Sequence, residues 1–175
     1  MEKEDKNLNN FLIGYTEAML QSVSNNEGKK ITLLEFDEDS RKKIVNDCFS
    51  FATMSSNLIS KAISNDETYS WKMAGWDFWE TRNSTGLGFE DKVDYEESKV
   101  WKNLFSRAQN KPVNISIEGK NFKYETDEYS FQNPEIIKAI QEKRFLEESI
   151  PKTYEGVKEL VEMDEPIIQR PKIKR

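Results

Sequence analysis

The sequence predicts an α+β fold: a small antiparallel β-sheet of two hairpins packed against amphipathic helices, with a helical extension at the C-terminal end. Three observations carry this. Apolar residues recur at helical spacing in several long segments, whereas residues 113–124 alternate with a period of two around Glu118-Gly119-Lys120-Asn121. Aromatic residues make up 11% of the 175, too many for a disordered chain. Yet only 36% of the chain is hydrophobic, 33% is charged and the mean hydropathy is −0.81, so the core is small or part of the chain lies outside it.

The elements follow in order. Leu8, Phe11, Leu12, Tyr15, Met19 and Val23 share one helical face and predict a helix over 7–24, ended by the turn chemistry of Asn25-Asn26-Glu27-Gly28. Residues 31–36 fit a short strand or an extended crossing. Asp37 reads as an N-cap, and Ile44, Val45, Cys48, Phe49, Ala52, Ser55, Leu58, Ile59, Ala62 and Ile63 form the stripe of a long helix over 38–63, the expected spine of the core. Residues 69–91 are rich in aromatics and glycine. Trp76-Asp77-Phe78-Trp79-Glu80-Thr81-Arg82 has strand-forming residues, Asn83-Ser84-Thr85-Gly86 has turn composition and Leu87-Gly88-Phe89 reads as the returning strand, which predicts a first hairpin over about 76–90. Trp76, Phe78 and Trp79 are expected to carry its packing onto the helices.

Asp94 and Glu97 make a capping-box pattern ahead of Val100, Trp101, Leu104, Phe105 and Ala108, a helix over 95–109 that Lys111-Pro112 stops. The second hairpin spans 113–124, with Val113, Ile115 and Ile117 alternating on one strand and Phe122 and Tyr124 on the other. Asn133-Pro134 opens a helix to about 148, Thr153 opens another to about 163, and residues 164–175 are interrupted by proline and turn basic. The division is therefore a core domain over 1–128 and a helical extension with a Pro-containing tail over 129–175.

Histidine is absent, which excludes Ser-His-Asp triads, Cys-His pairs, HExxH zinc sites and histidine-ligated zinc fingers. Cys48 is the single cysteine, so neither an intrachain disulfide nor a cysteine-based metal cluster can form, which fits a reducing compartment. The opening Met-Glu-Lys-Glu-Asp-Lys is too charged for a signal peptide. No apolar run approaches the roughly 18 residues of a membrane span. A soluble intracellular protein with no membrane partner is expected. The net charge of −6, from 26 basic and 32 acidic side chains, is mild for the length.

The run Gly75-Trp76-Asp77-Phe78-Trp79-Glu80-Thr81-Arg82-Asn83-Ser84-Thr85-Gly86-Leu87-Gly88-Phe89-Glu90-Asp91 resembles the signature of a family of small uncharacterised bacteriophage and prophage proteins, which reads Gly-His-Asp-Phe-Trp-Leu-Thr-Arg-Asn-Gly-His-Gly-Ala-Gly-Phe-Trp-Asp. The flanks match in kind. Tyr15-Thr16-Glu17-Ala18-Met19-Leu20 resembles the family's opening helix, and Asp47-Cys48 with Phe51, Asn57 and Leu58 resembles its long central helix. The likeness covers roughly residues 10–124. Among its departures from the signature, Trp76, Ser84, Thr85 and Glu90 stand where the family has His, Gly, His and Trp. The resemblance implies a phage or prophage origin and the cytoplasm of a bacterial host; it brings no established activity.

Asp77, Arg82, Asn83 and Asp91 are the polar residues to single out. On a functional reading they ring a small cleft beside Trp76 and Trp79, with Asp77 and Asp91 holding a hard cation or a basic ligand group. On a structural reading, which is the stronger, Arg82 pairs with Asp77 or Asp91 to close the hairpin and Asn83 satisfies the turn. Gly86-x-Gly88 leads into a strand rather than a helix, so it is rejected as a phosphate loop. The tryptophans could stack on bases, but Glu80, Glu90, Asp91, Asp94, Glu96 and Glu97 surround them and core packing is favoured. These acids, with Glu125, Asp127 and Glu128, read as a solvated face in preference to a mimic of DNA phosphates. Cys48 reads as a packed residue.

No catalytic, cofactor-binding or metal-ligating residue and no cofactor is therefore assigned. The function expected is that of a non-enzymatic phage accessory protein acting through contact with a host or phage protein in the infected cell, inhibition of a host defence system being one form of it. The second reading is a nucleic-acid-associated protein using Arg170, Lys172, Lys174 and Arg175 of the basic tail. The third is a Mg-dependent hydrolase using Asp77 and Asp91. Homo-oligomerisation is left open.

Overall fold

In the computed structural model, which describes residues 2–84, 87–92, 95, 96, 98–109 and 112–126, five helices and one β-hairpin make up an α+β arrangement. The helices are α1 (Glu2–Glu27), α2 (Glu38–Met54), α3 (Ser56–Asn65), α4 (Trp71–Arg82) and α5 (Lys99–Ala108). The strands are β1 (Val113–Glu118) and β2 (Asn121–Thr126). Single 3-10 turns lie at Leu33–Glu35 and Phe89–Asp91.

Local chemistry explains most boundaries. Asp37 caps α2 by accepting a 2.7 Å hydrogen bond from the Ser40 amide, and Glu38 and Asp39 add negative charge to the first turn. Residues 31–36 are a crossing, not a strand. Thr32 N–H bonds the Glu35 carboxylate at 2.8 Å, and Phe36 touches the sheet through an isolated bridge to Phe122. The helix expected over 38–63 is two helices that part at the fully buried Ser55. Arg107 of α5 donates to the Met54 carbonyl there, at 2.5 Å, and to Ser55 Oγ at 3.3 Å, so a distant side chain satisfies the interrupted helix end.

The hairpin expected over 76–90 is not formed; residues 71–82 are helix α4. Ser70 is its N-cap, accepting from the Met73 amide at 3.2 Å. Tertiary packing outweighs the strand propensity of the aromatics. Phe78 stacks on Phe51 of α2 at 3.9 Å between ring centroids and lies 5.7 Å from Phe11 of α1. The helical spacing also brings α4 against α1 with almost no separation. A Cβ on Gly75 would stand 1.9 Å from the Phe11 carbonyl oxygen, and one on Gly14 would stand 1.8 Å from that of Lys72. Only glycine permits this approach.

After α4 the chain folds back on the helix end. Gly88 lies so close that a Cβ would meet Thr81 Oγ1 at 2.0 Å, and that hydroxyl oxygen accepts from the Phe89 amide at 2.9 Å. Phe89 is thereby delivered to the core beside Phe51. Ser98 caps α5 through the Trp101 amide. The capping pair expected at Asp94 and Glu97 lies outside the described residues, as do the helices expected over 133–148 and 153–163, the 128/129 boundary and the basic tail.

The hairpin at the end of the described chain is the one the sequence predicts, extended to residue 126. Its register pairs Val113 with Thr126, Ile115 with Tyr124 and Ile117 with Phe122. Gly119, at φ +66°, takes the first central position of a two-residue turn, the geometry of type II′. The sheet among the described residues has these two strands, and β2 lies against α2.

Candidate functional site

Arg82 ends α4, where a cation suits the helix dipole. It is nevertheless 1% exposed, the largest fully buried side chain among the described residues. Three other elements converge on it. Nη1 lies 2.9 Å from each of Asp47 Oδ2 on α2, the Tyr15 hydroxyl on α1 and the Tyr124 hydroxyl on β2. Nη2 donates to Thr126 Oγ1, also at 2.9 Å. The Tyr124 hydroxyl donates to Asp47 Oδ2 at 2.8 Å, the two phenol oxygens are 2.7 Å apart, and the guanidinium sits 5.0 Å from the Phe78 ring centre. Each buried polar atom of this centre has a partner, which burial demands.

The electrostatics are those of a closed centre. Burial works against the charge of Arg82, but Tyr15, Tyr124 and Asp47 around it lift its pKa above the ordinary value and keep it a cation. Burial raises the pKa of Tyr15, against the opposing pull of Arg82, and raises that of Tyr124 well above the ordinary phenol value. Both phenols stay neutral donors. Burial likewise pushes the Cys48 thiol up, so it is a packed residue and no thiolate.

A second cluster surrounds Asp77, also 1% exposed. Its Oδ2 accepts from the Tyr69 hydroxyl at 2.7 Å and meets Lys92 Nζ at 2.5 Å. Lys92 also stands 5.1 Å from the Tyr69 ring centre and 5.8 Å from that of Trp101, which ties α4 to the chain after Phe89 and to α5.

The expected grouping of Asp77, Arg82, Asn83 and Asp91 is therefore redrawn. The ion pair formed by Arg82 runs to Asp47 and that of Asp77 to Lys92, on separate clusters. With Asp77 and Arg82 enclosed, neither lines a cleft open to water, while Asp91 is exposed. Asn83 satisfies a helix end, its Nδ2 donating to the Trp79 carbonyl at 2.9 Å. Trp79 is buried edge-on to Tyr15 at 5.5 Å, whereas Trp76 is half-buried. The sequence reading missed Tyr15, Asp47, Lys92, Tyr124 and Thr126 as members of these centres. Asp47 carried the usable signal: a carboxylate set between Val45 and Cys48 on an apolar helix stripe.

Among the described residues no three His, Cys, Asp or Glu side chains are placed to hold a metal ion, and no helix is long and apolar enough to cross a membrane. Comparison with protein-family models, with curated proteins and with solved structures gives no match.

Proposed function

We propose that this chain is a bacteriophage-encoded accessory protein, without catalytic activity, that binds a host or phage protein in the cytoplasm of the infected bacterium, inhibition of a host defence system being one form of that contact. The phage origin rests on the likeness of residues 75–91 to the phage signature. One observation carries the rest. Arg82 and Asp77, the motif residues best suited to chemistry, are enclosed in hydrogen-bonded ion pairs that hold helices and sheet together. The motif thus builds a scaffold and leaves contact to the surface. A cation recruited by Asp77 would have to displace both Lys92 and the Tyr69 hydroxyl, which weighs against the Mg-dependent hydrolase.

In this reading residues 1–128 are the scaffold and 129–175 supply the contact. The test is affinity capture of the tagged full chain from infected cells, followed by reconstitution with the purified captured protein. The expected result is a stoichiometric, salt-resistant complex that a chain truncated at 128 no longer forms, although that truncation still melts cooperatively. A salt-dependent shift of DNA or RNA, abolished by deleting residues 166–175, would instead establish the nucleic-acid reading through Arg170, Lys172, Lys174 and Arg175.

A further inference from the structure

The two edges of the hairpin are treated differently by the fold. On β2 two of the groups turned away from β1 are occupied: the Phe122 carbonyl accepts from the Asp37 amide at 3.3 Å, and the Tyr124 amide donates to Ser40 Oγ at 2.9 Å. These two bonds fix the parity of the ladder. Phe122 and Tyr124 direct their backbone groups outward, so their register partners Ile117 and Ile115 direct theirs outward on the opposite edge, and Val113 follows with the same parity. Among the described residues nothing bonds the outward groups of Val113, Ile115 and Ile117. A strand edge of this kind is a template for another strand.

The sequence of β1 says which strand fits. A second copy laid antiparallel can place its two-fold axis at a pair of either kind, but only an axis at Ile115 pairs all three outward residues, Val113, Ile115 and Ile117, within β1. In that register Ile115 meets the partner subunit's Ile115, and Val113 meets the partner subunit's Ile117, each pair exchanging two N–H···O=C bonds. Burial is complementary along the strand. Val113 is buried and Ile117 is 56% exposed, so the exposed end of each strand is laid beside the buried end of the other. On the opposite face Asn114 meets the partner subunit's Ser116, and Glu118 falls opposite the partner subunit's Pro112, so no like charges oppose.

We propose that two copies of this chain join β1 to β1, centred on Ile115, to form one continuous antiparallel sheet. The surface is independent of the contact proposed above for residues 129–175.

Sedimentation and backbone-amide exchange of the full chain test this together. Self-association is expected, with the Ile115 and Ile117 amides exchanging at least about tenfold more slowly as protein concentration rises. The Ser116 and Glu118 amides already bond β2 and should not respond. Ile117→Pro removes an outward N–H without touching the β2 ladder, and the variant should sediment as a monomer with unchanged circular dichroism. Three results overturn the proposal: a chain monomeric at every concentration, an Ile117→Pro variant that still dimerises, or Ile115 and Ile117 amides whose exchange does not depend on concentration. Protection that persists on dilution would show the edge covered by the chain's own residues 127–175. Because exchange is read on the unmodified chain, a variant that fails to fold leaves the test intact.

Discussion

Replacing Asp47 with Asn removes the charge that faces Arg82 and changes almost nothing else in shape. Asp47 Oδ2 takes hydrogen bonds from Arg82 Nη1 and from the Tyr124 hydroxyl, and the Arg82 side chain is wholly buried while that of Asp47 is 10% exposed. Two unit charges about 4 Å apart at an effective dielectric constant near 20 attract by about 4 kcal/mol. Desolvation of both ions has offset much of this in the native protein, but deleting one partner leaves the other's desolvation uncompensated, which costs about 3–5 kcal/mol. A carboxamide still accepts one bond, so Asp47→Asn should fall at the lower end, about 3 kcal/mol, and should lower the thermal midpoint by roughly 6–12 °C. Calorimetry measures this directly. Arg82→Met should cost as much, because it takes the guanidinium away from a buried carboxylate. The double variant Asp47→Leu with Arg82→Met removes both charges and should be more stable than the sum of the single losses by at least about 2 kcal/mol. A midpoint shift under about 3 °C for Asp47→Asn, or strict additivity in the double variant, would refute the view that this ion pair is one cooperative unit.

Four further outcomes are expected. Gly75→Ala and Gly14→Ala each press a methyl group into a facing carbonyl and should destabilise by about 1–3 kcal/mol or more in denaturant melts, although alanine is the better helix former. Ser84 follows the C-cap at φ +53°, the left-handed region where a side chain is strained, so Ser84→Gly should stabilise by about 0.5–1 kcal/mol, read as a raised midpoint. Trp79→Ala should cost about 3–5 kcal/mol and Trp76→Ala clearly less, because the first ring is buried and the second half-exposed. With the pKa values of Tyr15 and Tyr124 raised in the folded state, their contribution to stability is complete below the ordinary phenol value of 10.0 and is lost as pH climbs toward the folded values; a titration should show their tyrosinate absorbance appearing only together with unfolding.

The fold class, the first helix, the cap at Asp37 and the second hairpin were legible because each rests on local chemistry: spacing, a capping carboxylate, a glycine in the turn. The segment from 71 to 90 was misread for two reasons. Its tryptophans and phenylalanine carry strand propensity, and its Gly75 looks like punctuation when considered alone. What decides the conformation lies far away in the chain, at Phe11, Gly14 and Phe51, which give α4 a groove to enter and rings to stack on. The same applies to the break at Ser55, where the apolar stripe runs on without interruption and the satisfying guanidinium comes from Arg107.

The polar centre was legible only in part, and the reason is geometric. A reading along the sequence looks for a partner of Arg82 among its neighbours, and Asp77 and Asp91 were the nearest carboxylates that a hairpin would have brought to it. Once the segment is a helix, Asp77 and Arg82 take separate partners, and Arg82 is carried across the core to Asp47, thirty-five positions earlier in the chain. Three of the motif's polar residues, Asp77, Thr81 and Arg82, then share one purpose. Arg82 fastens α4 to α1, α2 and β2, Thr81 receives the returning Phe89 amide, and Asp77 fastens the following segment through Lys92. A motif whose side chains tie α1, α2, β2 and the segment at Lys92 to one helix is rich in rare residues because that packing requires them. Its polar groups are specified because burial leaves an ion or hydroxyl no alternative to its partner.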